Sequence, residues 1–340
     1  MRFGLFGGPG GEPATADARH PYLDFADYAA LAEELGFVSV FLTEHHFTGL
    51  GQASSPLTLL AHLAGATSTL RLGTAVTVLP WQVPIVVAEQ AATVDVLSGG
   101  RLDLGVGRGF RAAEFDGFGQ SMEEAAARHE EALEVILRAW REPGRWSHRG
   151  RFYTYNDVLV EPAPVQSPHP PIWVGAGSPS SLDDAAKRGF RLLLDQVGSF
   201  ELTGRRIAAY RERRAQLGRP VGPGEVAVTR SLHLVDGPRE RAAAIDARVE
   251  AFARTRALTN RGGAPANRMA AEYSADIRRA TEEGAIIGDS AECAQRLDAL
   301  RAQGADYVLL IDGENSPATL RAFAAEVAPR LAAAPGAEVR

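Results

Sequence analysis

The sequence predicts an α/β fold: a single (β/α)8 TIM barrel with an insertion between strands 4 and 5 and a mobile loop after strand 7. Three observations lead there. Short, nearly all-apolar runs, of which FVSVFLT at residues 37–43 is the clearest, read as parallel strands covered on both faces. Helix-length stretches with apolar residues three or four apart alternate with them almost from end to end. Titratable residues gather just past the carboxyl ends of several strands, where barrels place their active sites.

Taken in order, residues 2–6 form strand one, followed by a Gly/Pro-rich loop at 7–13. Phe25, Tyr28, Ala29, Ala32 and Leu35 mark one helix face, and Gly36 supplies its stop. Strand two occupies 37–43, a helix runs through 57–63, and strand three spans 71–79 up to Pro80. Pro84 opens a helix that halts at Ser98-Gly99-Gly100, and strand four follows at 101–106. Ser121 with Glu124 has the spacing of a capping box ahead of a long helix. Residues 143–170, rich in Pro, His and aromatics, form the insertion, with short strands near 152–155 and 158–160. Strand five is 171–176, strand six 190–195, strand seven 225–235 and strand eight 306–311. Ser178-Pro179, Asp289 with Glu292, and Ser316-Pro317 each start a helix. Residues 259–284 lack a clear period and are expected to be a lid loop. The whole of 1–335 then counts as one domain. A doubly wound sheet is the competing architecture, but the Gly7–Gly11 loop does not give G-x-G-x-x-G, and Pro9 removes a donor that a phosphate would need.

Composition narrows the function classes. With 36 basic residues against 42 acidic ones and no basic run, a nucleic-acid surface is not expected. No apolar run approaches the roughly 20 residues of a membrane span, and MRFGLFGGPG opens a strand without a signal-peptide pattern, so a cytoplasmic location is expected. The single cysteine, Cys293, excludes an internal disulfide and a cysteine-based metal cluster. Adjacent histidines without the i, i+4 spacing of metal ligands also argue against a metal site.

At the mouth of such a barrel the strand ends converge, bringing together Glu44, His45 and His46, then Trp81 and Gln82, then Arg108 and Phe110, then Gly177, Ser178 and Ser181. Glu44, His45 and His46 are the candidate catalytic group, read against the alternative that the histidines merely cap a strand. His45 is expected to handle the proton, with Glu44 orienting it. Ser178 to Ser181 places hydroxyls and free N–H groups at a helix start, and Arg108 offers a forked, permanently charged donor. The alternatives are an ordinary Ser/Pro helix start and a salt bridge from Arg108 to Glu114 or Asp116. Convergence of both elements on one mouth favours a phosphate-bearing ligand.

Several runs together are recognisable: EHHF at 44–47, AHLAGATSTLRLGTAVTVLP at 61–80, LSGGRLDLGVGRGF at 97–110, and RFYTY with PAPVQSPHPPIWVGAGS within 151–178. With GDSAECAQRLDAL at 288–300, they resemble the bacterial luciferase-like flavin-dependent monooxygenase family over nearly the whole chain. The resemblance implies a (β/α)8 barrel that binds reduced FMN, supplied by a separate flavin reductase. It implies that dioxygen reacts through a flavin 4a-hydroperoxide to oxygenate a small organic substrate. It places the phosphate on Arg108, Ser178 and Ser181, with Phe110 and Gly177 alongside, and a non-prolyl cis peptide at Ala75–Val76 beneath the flavin. The histidine pair falls on His45 and His46. A homodimer is implied across 61–64 and 87–91, with His62 and Glu89 as buried polar groups. Two other functions fit the same resemblance: hydride transfer with a deazaflavin coenzyme, and a flavin-binding barrel without turnover. Gly107 stands where the luciferase alpha subunit has a reactive cysteine, and Gly177 where it has an acidic residue, so light emission is not implied.

Overall fold

The computed structural model describes residues 1–10, 20–259 and 276–331. Eight parallel strands close on themselves: β1 (Arg2–Gly7), β2 (Ser39–Leu42), β3 (Arg71–Thr74), β4 (Leu102–Gly107), β5 (Ile172–Gly175), β6 (Arg191–Leu194), β7 (Val226–Leu234) and β8 (Tyr307–Ile311). Each pairs with the next, and β8 returns to β1 with Val308 opposite Phe3. Closure leaves no sheet edge to cover. A short strand, Ile286–Gly288, adds outside the ring against β7.

The barrel interior is filled by Phe41, Trp173, Leu193, Ala227, Tyr307 and Leu309, with Ala75 and Val76 packed above them. Large side chains fit there because inward positions opposite them are small. A Cβ on Gly73 would sit 2.4 Å from the Phe41 ring. The larger apolar layer lies between the strands' outer faces and the helices and includes Leu60, Leu63, Ala91, Leu133 and Ile136. Helices α1 (His20–Glu34), α2 (Pro56–Ala66), α3 (Pro84–Leu97), α4 (Ala112–Phe118) and α5 (Ala125–Arg141) follow the first four strands. After strands five and six come α6 (Pro179–Arg188) and α7 (Phe200–Gln216). Then α8 (Pro238–Thr259), α9 (Ile277–Gly284), α10 (Ser290–Ala302) and α11 (Pro317–Ala322) complete the described ring. The 22-residue α8 leaves β7 and packs against α4, which follows β4, so it lies across the carboxyl end of the barrel.

Several expected boundaries change. Strand three does not run unbroken to residue 79: the chain turns through a cis peptide at Ala75–Val76, and Thr77–Val78 then resumes pairing beside Val106 and Gly107. Ser121 makes no side-chain cap, because Glu124 is engaged by Arg128 and Arg151 and the chain first makes a 3-10 turn at Met122–Glu124. The insertion holds a hairpin of Trp146–Arg149 and Thr154–Val158, earlier in the chain than expected. Of the expected lid loop at 259–284, residues 260–275 lie outside the described residues, and its end is helix α9, capped by Asp276. The predicted helix starts at Ser178, Asp289 and Ser316 form, each with its side chain accepting from a backbone N–H. Cys293 is buried in α10, its thiol directed at the Gly288 carbonyl, a packing role. Among the described residues no helix is long and apolar enough to cross a membrane.

Candidate active site

Strand β2 is buried along its whole length and delivers three titratable residues to the barrel mouth. The chain continues extended past Leu42, held by the Thr43 N–H on the Gly7 carbonyl and the His45 N–H on the Ala53 carbonyl. Side chains on extended backbone alternate, so residues 44 and 46 face one way and 45 the other. That alternation decides the pairing. Glu44 is 2% exposed, and its Oε1 accepts from the Trp81 indole at 2.9 Å, the Gln82 amide at 3.1 Å and His46 Nε2 at 3.2 Å. Its Oε2 accepts from the Val78 N–H at 3.3 Å. Glu44 therefore orients His46 and not His45, contrary to the expectation from sequence adjacency.

His45 turns to α4 instead. Its Nδ1 lies 3.0 Å from Glu114 Oε1, and the same oxygen accepts the His46 backbone N–H at 3.0 Å. Arg111 Nη1 stands 3.8 Å from that oxygen. Burial is the largest influence on His45 and pulls it below the ordinary histidine value of 6.5; Arg111 acts in the same direction, while Glu114 and Glu44 oppose it. His45 is thus neutral at pH 7, and its Nε2 makes no hydrogen bond among the described residues. The His46 ring is used up differently: Glu44 holds its Nε2, and Phe118 packs edge-on at 4.7 Å with Trp81 at 5.9 Å. A cavity of about 200 Å³ opens on the Glu44 and His46 side of the chain, lined also by Pro56, Trp81, Gln90 and Phe118; His45 faces the other way and does not line it.

The alternative for Arg108, a salt bridge to Glu114 or Asp116, does not form; Glu114 pairs with His45 instead. Arg108 is exposed at the end of β4 and has no hydrogen bond or ion pair among the described residues. Its neighbour Gly109 has φ +71, and a Cβ there would lie 2.8 Å from Val78, so the turn that presents Arg108 requires glycine. Phe110 follows, half-buried beneath the Arg111 guanidinium at 5.8 Å. At the start of α6, Ser178 Oγ accepts the Ser181 N–H at 3.2 Å, while Ser181 Oγ accepts N–H groups from Ser178 at 3.1 Å and Gly177 at 3.3 Å. Three hydroxyls, of Ser178, Ser180 and Ser181, therefore crowd the positive end of a helix dipole.

Glu114 and Arg206 escaped prediction as site residues. Glu114 was read only as a possible partner of Arg108, because nothing in its short segment announces a helix. Arg206, on α7, reaches back to the Gly177 carbonyl at 3.1 Å and Asp195 at 2.8 Å, and no local pattern distinguishes it from the other arginines of that helix.

The arrangement can hold a phosphate-bearing flavin. A Cβ placed on Gly7 or Gly175, at the ends of β1 and β5, would meet nothing within 4 Å among the described residues. The Ala75–Val76 peptide caps the interior core at the same end, and Arg108, without a partner among the described residues, supplies a cation for a phosphate.

A family model described as luciferase-like monooxygenase matches residues 1–307, and the chain belongs to that family of oxidoreductases. It is 32% identical over 191 residues to the oxygenase component of a flavin-dependent trigonelline monooxygenase from Acinetobacter baylyi, 56% of this chain and 52% of that one. With an FMNH(2)-dependent dimethylsulfone monooxygenase from Pseudomonas putida it shares 29% over 299 residues, 83% of this chain and 80% of that one. Among solved structures, the monooxygenase RslO1 from Streptomyces bottropensis superposes with a TM-score of 0.82 at 29% identity, covering 98% of this chain and all of that one. The chain spans 63%, 57% and 52% of the length of three curated relatives, two from Sinorhizobium fredii and the trigonelline enzyme.

Proposed function

We propose that this protein is the oxygenase of a two-component flavin system, taking reduced FMN from a separate reductase and inserting one atom of dioxygen into a small organic substrate. The observation that carries this reading is His45, held through Nδ1 by a buried carboxylate, at the same barrel end as Arg108, which has no partner among the described residues. Reduced FMN, when bound, supplies the two electrons and the reaction with dioxygen, and the second oxygen atom leaves as water.

Arg108, Ser178 and Ser181 would hold the phosphate by charge-assisted hydrogen bonds at the α6 N-terminus. Ala75 and Val76 would support the ring system from below, with Phe110 and Gly177 flanking it. His45 Nε2 is the atom we assign to accept and return a proton; His46 is fixed by Glu44 and walls the site. Helix α8 across the mouth limits the entry of water. A homodimer through α2 and α3 belongs to the same reading. Within one chain Val87, Ala88 and Ala91 are buried against their own barrel, His62 is exposed, and Val83 and Val86 remain 54% and 40% exposed for a second copy.

Anaerobic titration with reduced FMN, followed by dioxygen uptake with a reductase present, tests the reading. Binding in the micromolar range, about −8 kcal/mol, is expected, and Arg108→Ala should weaken it about tenfold or more. No binding of reduced FMN, or tight binding and turnover only with a reduced deazaflavin, would sink the proposal. Binding of FMN with no dioxygen consumption above the free-flavin rate would favour a flavin-binding barrel without turnover.

A further inference from the structure

We propose that Glu114 is a positioning residue of this site: it fixes His45 with its proton on Nδ1 and so leaves Nε2 as the unprotonated nitrogen of the ring. The argument begins with a donor that cannot change roles. The His46 backbone N–H only donates, and it points at Glu114 Oε1 from 3.0 Å, so that oxygen is an acceptor. Arg111, also a pure donor, stands 3.8 Å from the same atom. With two donors already facing it, Glu114 Oε1 accepts from His45 Nδ1 as well, which requires the ring proton there. The neutral ring then has its lone pair on Nε2, the nitrogen without a hydrogen bond among the described residues.

The neighbouring histidine provides an internal contrast. Glu44 holds His46 through Nε2, the tip nitrogen, and aromatic rings pack around it. Two buried carboxylates thus sort two adjacent histidines into different tasks, and only His45 keeps its tip nitrogen available. The charged or titratable groups facing His45 are Glu114 and Arg111 from the β4–α4 segment and Glu44 from its own loop. Burial and Arg111 disfavour the imidazolium, and Glu114 moderates them, which keeps the base from becoming too weak. The tautomer follows from the contacts alone; its use toward substrate rests on the flavin-monooxygenase reading above.

Imidazole nitrogen NMR on protein labelled at histidine separates the two claims, with His45→Asn serving only to assign the resonance. Wild-type His45 should be the neutral tautomer protonated at Nδ1. In Glu114→Gln the loss of negative charge should lower its proton affinity about threefold or more. In turnover, Glu114→Gln should reduce kcat by about 10–100-fold, part of the roughly 10²–10⁴-fold that a positioned base supplies, and move the acid limb of the pH profile downward. Reduced-FMN affinity should stay within about twofold, since the change removes no phosphate contact. A wild-type His45 protonated on Nε2 overturns the proposal without any variant. Equal titration of His45 in wild type and Glu114→Gln overturns it as well. If wild type neither binds nor uses reduced FMN, the functional reading fails while the NMR result still decides the role of Glu114.

Discussion

Gly107 shows how one residue constrains its neighbours. A Cβ at this position would lie 2.4 Å from Val76 Cγ2 and 3.4 Å from Val76 Cβ, so the two cannot share the space unchanged. Valine has little χ1 freedom to yield, and its backbone is tied into the turn that interrupts the third strand. Gly107→Ala should therefore cost on the order of 1–3 kcal/mol, the usual range for overpacking. In a double-mutant cycle, Val76→Ala should recover most of that loss. Chemical denaturation of all four variants checks the prediction; additive effects would mean that the glycine answers to something else. The same contact explains why a cysteine side chain at this position has no room here. Residue-scale reasoning from sequence misread the histidine partners for a comparable reason. Adjacency suggested Glu44 for His45, whereas an extended chain sends neighbours to opposite sides and pairs residue 44 with 46.

At the scale of elements, strands and long helices were legible because burial imposes a period, and the caps at Ser178, Asp289 and Ser316 because they need particular side chains at fixed spacing, although the same spacing at Ser121 made no cap. Helix α4 has seven residues, no side-chain cap at Arg111 and only two large apolar residues, Phe115 and Phe118, too little for a period to show. It nonetheless carries Glu114, so the least legible helix holds part of the site. The amino ends of the strands illustrate a different division of labour. Asp103, 1% exposed on β4, accepts from Arg71 at the start of β3 at 2.6 and 2.9 Å. It also accepts from Arg191 at the start of β6 at 3.2 Å and from the Trp173 indole at 2.9 Å. This cluster ties four strands together at the end of the barrel away from the site. Both arginines are about a third exposed, which softens the loss, but Trp173 is 1% exposed and would be left with an unpaired N–H. Asp103→Ala should cost on the order of 3 kcal/mol, near the low end for a broken buried pair. Calorimetry should show a melting point lower by about 4 °C for a chain of this size. Reduced-FMN affinity measured at low temperature should be unchanged; an unchanged melting point would show that the cluster contributes no stability.

For the whole molecule, barrel closure was legible from alternation alone, and the strand ends named from sequence do arrive at one mouth. Which side chains meet there was not legible, since Arg206, Glu114 and the reach of α8 depend on distances between elements far apart in the chain. The assembled fold also creates a pH response that no segment shows by itself. His45, His129, His169 and His233 are all held below the ordinary histidine value of 6.5, burial being the largest cause in each, and His233 is pushed down to about 4. The sign follows from which state binds the proton first. Above pH 6.5 each is neutral both folded and unfolded, so they make no difference. As pH falls below 6.5 the unfolded chain takes up protons that the folded chain refuses, and stability drops until the folded values are reached. Carboxylates add little in the upper part of that window. Glu33, lowered to about 2 by N–H groups of Ser68, Thr69 and Leu70 despite burial, contributes stability that is lost only as pH falls below its ordinary 4.5. Loss of stability between about pH 6.5 and 4.5 is therefore a histidine effect, offset in part by Asp312, which burial raises so that the folded chain takes up its proton first; the slope is about 1.4 kcal/mol per pH unit for each proton taken up. Urea unfolding at pH 7.5, 6.5, 5.5 and 4.5 should trace that decline, and His233→Gln, which cannot charge, should flatten it by close to one proton. A variant as acid-sensitive as wild type would show that His233 is protonated in the folded state at no cost, and would break the link between its burial and the stability curve.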